Sequence, residues 1–270
     1  MSCDPENPLN MRQLGEGGPF VLPPTNCSPR RVDFLKRSNA ILGFYATVAL
    51  YSEKGRENLE AAEKNGQLTP ETAIRVKLDP GGFVMQTNYR LLKKQFARAG
   101  AQLTNQVFLM IYGNFEAYVL DVVADGFKAT SCANPEEQAV QIIMGTSWRG
   151  KFDRVMQKLG VELGKSKLNS KFHDLDLGFL GDKCDDPIDF LNRMADLRHR
   201  LVHSTGRADA ALVTRYPNSN LAVGDIIHLP FGLPQGIHFY FVLLTEILDE
   251  AFIAKFNWPH SLVDPEKLVE

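Results

Sequence analysis

Residues Ala101 to Phe127 constrain the fold more than any other stretch. Leu103, Val107, Phe108, Met110, Ile111, Phe115, Tyr118, Val119, Val122 and Val123 crowd one side of a helix at about 100° per residue. Leu109, Tyr112 and Leu120 fall elsewhere around it. A helix apolar on most sides belongs inside a bundle, because only neighbours on several sides can take that much surface out of water. The chain is therefore expected to be mainly helical, all-α in class, with long helices packed around this one. One residue resists the pattern. Glu116 lies beside Leu109, Tyr112, Leu120 and Val123, so its carboxylate must either reach an edge or meet a cation.

A second helix carries the matching anomaly. Asp186 to Gly206 opens on Pro187, suited to a first helical position, and closes at Gly206, suited to a left-handed residue past the end. Ile188, Phe190, Leu191, Met194, Ala195, Leu197, Leu201 and Val202 share one broad face. Asp189, Asn192, Asp196 and Arg200 take the other. Arg198 projects from the apolar arc, with His199 and His203 at its edge. An unpaired buried charge costs several kcal/mol, roughly, so Arg198 needs a partner, a cleft or another chain. Glu116 is one candidate partner.

Three chemistries fit these residues. In the first, Arg198 is a paired structural residue and His203 complements the negative end of its helix. In the second, His199 and His203, four apart on one face, bind a metal. Arg200 then stands where a metalloprotease carries its glutamate, and no third ligand is near in sequence. The third is metal-free phosphoryl transfer on RNA. A histidine takes the proton from a 2′-hydroxyl, and an arginine holds the phosphate and steadies the growing charge. That chemistry calls for no cofactor. On a regular helix, Arg198 and His203 point about 140° apart. Either the last turn loosens near Ser204, or a second copy of the helix supplies the missing group across a two-fold axis.

The rest of the chain divides by texture. Residues 1–27, rich in proline and glycine, read as a flexible arm. Residues 28–82 read as an N-terminal helical extension. It holds a long helix from Ser28-Pro29 to about Asn65 and a short helix begun by Thr69-Pro70-Glu71 and ended near Asp79-Pro80-Gly81-Gly82. Residues 83–258 form the main helical domain, already helical from Phe83, and 259–270 are a tail. Arg90, Lys93, Lys94 and Arg98 share a helix face, either as a solvated surface or as a track for phosphates. Lys151, Arg154 and Lys158 make a second basic stripe beside Trp148 and Arg149. Pro135 to Gly145 and Trp148 to Gly160 read as helices, and 165–184 as irregular. Ala211–Thr214 and Asp225–Leu229 read as a small β-hairpin, followed by a last helix from Ile237 to Phe256.

Net charge limits the partners. At −2, the chain is no general polyanion binder, so contact with nucleic acid has to be local. Cys3, Cys27, Cys132 and Cys184 form no metal-ligand spacing and suit a reducing compartment. No basic-then-apolar run opens the chain, and no apolar run reads as a bilayer span. A cytoplasmic protein with no membrane partner is the expectation.

The segment Leu197-Arg198-His199-Arg200-Leu201-Val202-His203-Ser204-Thr205-Gly206 resembles the signature of HEPN domains: an arginine, a polar residue, three further residues, then a histidine. Asn is the commoner residue where His199 stands. Asn114-Phe115-Glu116-Ala117-Tyr118 resembles the aromatic-plus-glutamate stretch these domains carry. Val223 to Leu229, followed by an aromatic-rich helix, is similar to their closing segment. The resemblance spans roughly residues 84–257. It implies a helical bundle that forms a homodimer through the 186–204 helix. Many such domains are metal-independent ribonucleases of toxin–antitoxin or antiphage systems, acting with an antitoxin or defence partner. Others are catalytically silent modules that bind RNA, a nucleotide or a protein. Carried over, His203 is the base, Arg198 the phosphate ligand, His199 a polar helper and Glu116 a looser support. The products are a 2′,3′-cyclic phosphate and a 5′-hydroxyl.

Overall fold

The structure is a computed structural model that describes residues 24–78, 83–144, 147–163, 175–177, 182–184, 186–264 and 268. In chain order its elements are β1 (Thr25–Cys27), α1 (Pro29–Lys64), β2 (Ala73–Leu78), β3 (Phe83–Asn88), α2 (Tyr89–Ala129), α3 (Pro135–Ile143), α4 (Trp148–Leu159), β4 (Leu175–Leu177), β5 (Asp182–Cys184), α5 (Pro187–His203), α6 (Ala210–Arg215), α7 (Leu233–Phe256) and β6 (Ser261–Val263). The protein is mainly helical.

Local chemistry starts most of these helices. The side chains of Ser28, Asn88, Ser147, Asp186 and Asp209 each accept a hydrogen bond from a first-turn backbone N–H, satisfying donors that the helix leaves open. Gly160 stops α4 in the left-handed conformation, with φ +62°.

α2 is the central element and packs against α1, α3 and α7. Val107, Phe108, Ile111, Tyr112 and Phe115 are completely buried along it. Phe115 stacks on Phe241 of α7 at 4.3 Å and meets Trp148 of α4 at 5.2 Å. Such pairs add specific geometry to the area they bury. By length and composition α2 could cross a membrane, contrary to the reading of the sequence. However, 56% of its apolar window is buried inside the protein, as in a core helix.

A buried carboxylate ties three helices together. Asp249 of α7 accepts the Ser28 backbone N–H at 2.7 Å, the Ser28 hydroxyl, and the Tyr118 hydroxyl at 3.2 Å. It therefore joins the start of α1 to α2 and α7. Beside it the buried Arg31 reaches Glu246 at 3.5 Å. Phe34, Leu35, Ser38 and Tyr45 of α1 are buried in the same core, while the second half of α1 is largely exposed.

Several expectations need correction. The β-hairpin near 211–229 does not form. Asp209 caps Ala210–Arg215 as a short helix, and an isolated bridge joins Arg207 to Ile226. Ala73–Leu78 is a strand rather than a helix. Its apolar and basic residues alternate with period two, and it pairs antiparallel with Phe83–Asn88, so the helix expected from Phe83 begins only at Tyr89. The end of the arm and the start of the tail are joined: Thr25, Asn26 and Cys27 pair with Val263, Leu262 and Ser261. Leu175–Leu177 and Asp182–Cys184 pair within the stretch read as irregular. Residues 1–23 of the arm, the expected stop at 79–82 and most of 164–185 lie outside the described residues.

Candidate functional site

The site grows from three helices that bring three charges to one place. α5 remains α-helical through His203, with Ser204 as its cap, so its last turn does not loosen. Phe190, Leu191, Met194, Leu197 and Leu201 are buried, and they fix which way the intervening residues point. Arg198 stands beside this buried stripe with its side chain 40% exposed. Its Nη2 lies 3.8 Å from Oε2 of Glu116 on α2. The two charges that stood out in the sequence therefore face each other, through a single long ion pair.

His199 and His203 are both exposed, with ring centroids 4.4 Å apart. They share one side of α5, turned away from the buried stripe. Among the described residues no group of three or more His, Cys, Asp or Glu stands together in a way that could hold a metal ion. Arg200 is committed elsewhere, to Asp196 at 3.5 Å and to Asp209.

The third charge was not legible as part of this cluster. In sequence, Lys151 belongs to a surface stripe with Arg154 and Lys158. In the structure Arg154 and Lys158 are exposed, while Lys151 turns inward beside Trp148, Phe152, Val155 and Leu159. It is only 7% exposed. Its ammonium sits 4.0 Å from the centroid of the Trp148 ring, a cation–π arrangement. Burial lowers its pKa below the usual lysine range. Glu116 opposes that shift and Arg198 adds to it, so all three charges feel one another. The one available signal was the i, i+3 spacing of Trp148 and Lys151.

Trp148 is held rigidly. Its backbone N–H donates to Asn192 Oδ1 of α5 at 2.7 Å, and its indole N–H donates to the Tyr112 hydroxyl of α2 at 2.8 Å. Burial raises the Tyr112 pKa, and the Glu116 charge raises it further. Tyr112 thus stays a neutral phenol beside the cluster.

A polar cleft of about 630 Å³ opens farther along the same seam between α2 and α5. Gln102, Gln106, Leu109, Leu201, Thr205 and Arg207 line it, together with Asn105, Gly206 and Ile226. Asn105 donates to the Ile227 carbonyl at 2.9 Å and accepts from the Leu229 N–H at 3.3 Å, which builds the wall. Arg207 donates to the Gly224 carbonyl at 2.8 Å. At 100° per residue, Lys94, Arg98, Gln102, Gln106, Leu109, Gly113 and Glu116 fall within about 120° of one another around α2. One face of that helix therefore runs from basic side chains, past the cleft, to the charge cluster.

Arg90, Lys93, Lys94 and Arg98 are all exposed, at the far end of α2 from Glu116. Lys93 is engaged with Glu63 at 2.8 Å. Within one chain these residues do not converge with Arg198 and His203.

The fold and site define a mainly helical protein with a mixed-charge cluster set into a helix seam. No family model, curated protein or solved structure matches the chain.

Proposed function

We propose that this protein is a metal-independent endoribonuclease of toxin or antiphage-defence type, built on a HEPN-like bundle and active as a homodimer through α5. The observation that carries the reading is Arg198: a half-exposed guanidinium on an otherwise apolar helix face, answered among the described residues only by a long ion pair, one residue from His199 and five from His203. A purely structural arginine on such a face is expected to be sealed and tightly paired.

In this reading His203 takes the 2′-hydroxyl proton. The O2′–phosphorus bond forms, the phosphorus–O5′ bond breaks, and the departing oxygen takes a proton from water to end as a 5′-hydroxyl. Arg198 steadies the charge on the phosphate oxygens. His199 lies beside His203, its ring tilted 42° to it, and orients it, and Glu116 holds Arg198 ready until substrate arrives. His203 points about 140° from Arg198 on the intact helix, so the second copy supplies the histidine that completes each site. Val202 and Met110, exposed apolar side chains on α5 and α2, suit such a contact.

The single-stranded target runs along α2. Lys94 and Arg98 meet phosphates, and the amide-lined cleft receives a base near the scissile bond. The near-neutral charge of the chain suits a restricted RNA target and control by an antitoxin or defence partner in the cytoplasm.

The test is RNA incubated in excess chelator with the protein and with His203→Ala. Cleavage by the parent alone, leaving 2′,3′-cyclic phosphate ends, supports the reading. Equal cleavage by both, or by neither, defeats it and favours a silent module that binds RNA, nucleotide or protein.

A further inference from the structure

Lys151 has no ordinary structural explanation. It occupies an inward position on α4, where Trp148, Phe152, Val155 and Leu159 are apolar, and a methionine would fill the same volume without desolvating a charge. Among the described residues no carboxylate comes within ion-pair distance of it, and its only specific contact is the Trp148 ring. The residue as a whole keeps 7% of its surface exposed. The cluster around it carries two cations, Lys151 and Arg198, against one anion, Glu116, and is left with a net positive charge.

We propose that Lys151 and Arg198 form an anion site over the Trp148 ring that takes a phosphate group, with Glu116 as the internal counter-charge the phosphate displaces. The proposal rests on the ribonuclease reading only for the identity of that phosphate, a phosphodiester of RNA. The geometry favours an anion for three reasons. The two cations come from different helices, α4 and α5, so neither depends on the other's backbone for its position. Trp148 is pinned by Asn192 and Tyr112, so the lysine has a fixed platform. The 3.8 Å pair between Arg198 and Glu116 is long and half-exposed, which leaves the guanidinium free to pivot onto a better acceptor. Lys151 then acts as a point charge and Arg198 as a planar fork, a common division of labour at phosphates.

Trp148 makes the site visible. The ammonium leans on its ring, and the protein's other tryptophan is Trp258, so a Trp258→Phe background isolates the signal. The experiment titrates inorganic phosphate into the full-length protein and follows Trp148 fluorescence, with chloride at matched ionic strength in parallel. A saturable change with phosphate but not chloride is expected. Lys151→Met and Arg198→Met should each weaken it at least roughly tenfold, the loss expected of one charge-assisted hydrogen bond. Lys151→Arg should keep it, and Glu116→Gln should tighten it. No saturable change, an equal response to chloride, or phosphate binding unaltered in a folded Lys151→Met overturns the site. Should Lys151→Met fail to fold, unchanged affinity in Glu116→Gln overturns it instead. Repeating the titration in His203→Ala separates the two readings. Phosphate binding without any RNA cleavage by the parent removes only the nuclease, and cleavage without phosphate binding removes only this site.

Discussion

Arg198 and Glu116 face each other across the α2–α5 seam, 3.8 Å from Nη2 to Oε2, and neither carboxylate nor guanidinium is sealed from solvent. Exposed pairs of this length contribute little to stability, about 0–1 kcal/mol. Arg198→Met is therefore expected to shift the unfolding free energy by less than about 1 kcal/mol while abolishing RNA cleavage. Denaturant melts and a cleavage assay on the same preparation check this, and a folded, fully active Arg198→Met would refute the role.

His203 is exposed in the last turn of α5, so its removal should leave the fold untouched. His203→Ala is expected to keep the parent melting curve and lose about a hundredfold to ten-thousandfold in cleavage rate, the range for a general base. If sites form across two copies, mixing Arg198→Met with His203→Ala protein should restore part of the activity. Absence of any rescue in mixed dimers speaks against shared sites.

The side chains of Gln102 and Gln106 make no hydrogen bond to the described residues, although both line the polar cleft. Such amides can pair with base edges. Gln106→Leu is expected to change which sequences are cut more than how fast the preferred one is cut. Sequencing of cleaved ends from a random RNA pool reads this, and an unchanged end profile rules the cleft out as a base slot.

Asp249 is fully buried and accepts three hydrogen bonds from Ser28 and Tyr118. Burial raises its pKa despite those donors. Asp249→Ala leaves the Ser28 N–H and hydroxyl without their acceptor and leaves the Tyr118 hydroxyl with the Thr245 carbonyl alone. A loss of about 2–4 kcal/mol is expected, measured by urea unfolding. A loss below about 0.5 kcal/mol would mean that the three helices are not coupled through this carboxylate.

His238 supplies a pH dependence. Its Nδ1 is sealed and has no hydrogen-bond partner among the described residues, and burial lowers its pKa to about 4. The folded protein keeps this ring neutral, while the unfolded chain protonates it near its ordinary value of about 6.5. Stability contributed by the neutral ring is present above about pH 6.5 and falls as the pH drops toward 4, by up to about 3 kcal/mol. His238→Phe should flatten that part of the acid limb. An unchanged slope in the variant would assign the acid sensitivity elsewhere.

Much of the helical scaffold is legible in the sequence because its signals are local. Ser28 with Pro29, Asp186 with Pro187, and Gly160 each act within a turn of their own helix. The apolar wrapping of 101–127 identifies the central helix without any knowledge of its neighbours. Two stretches misled for equally local reasons. Ala211–Thr214 looks like a strand by composition, but Asp209 caps it into a helix. Ala73–Leu78 follows a plausible helix start, but becomes a strand because Phe83–Asn88 lies opposite it.

By itself the sequence determined the mainly helical class, the central position of α2, and the oddity of Arg198 and Glu116 as charges on apolar faces. Periodicity and capping depend only on residues within a few positions of each other. Only the tertiary structure decided that these two charges meet, that Lys151 turns inward onto Trp148, and that Thr25–Cys27 pairs with Ser261–Val263. Those outcomes depend on how helices and strands distant in sequence dock. A lysine three residues after a tryptophan reads the same on a surface as in a core until the neighbouring helices close over it.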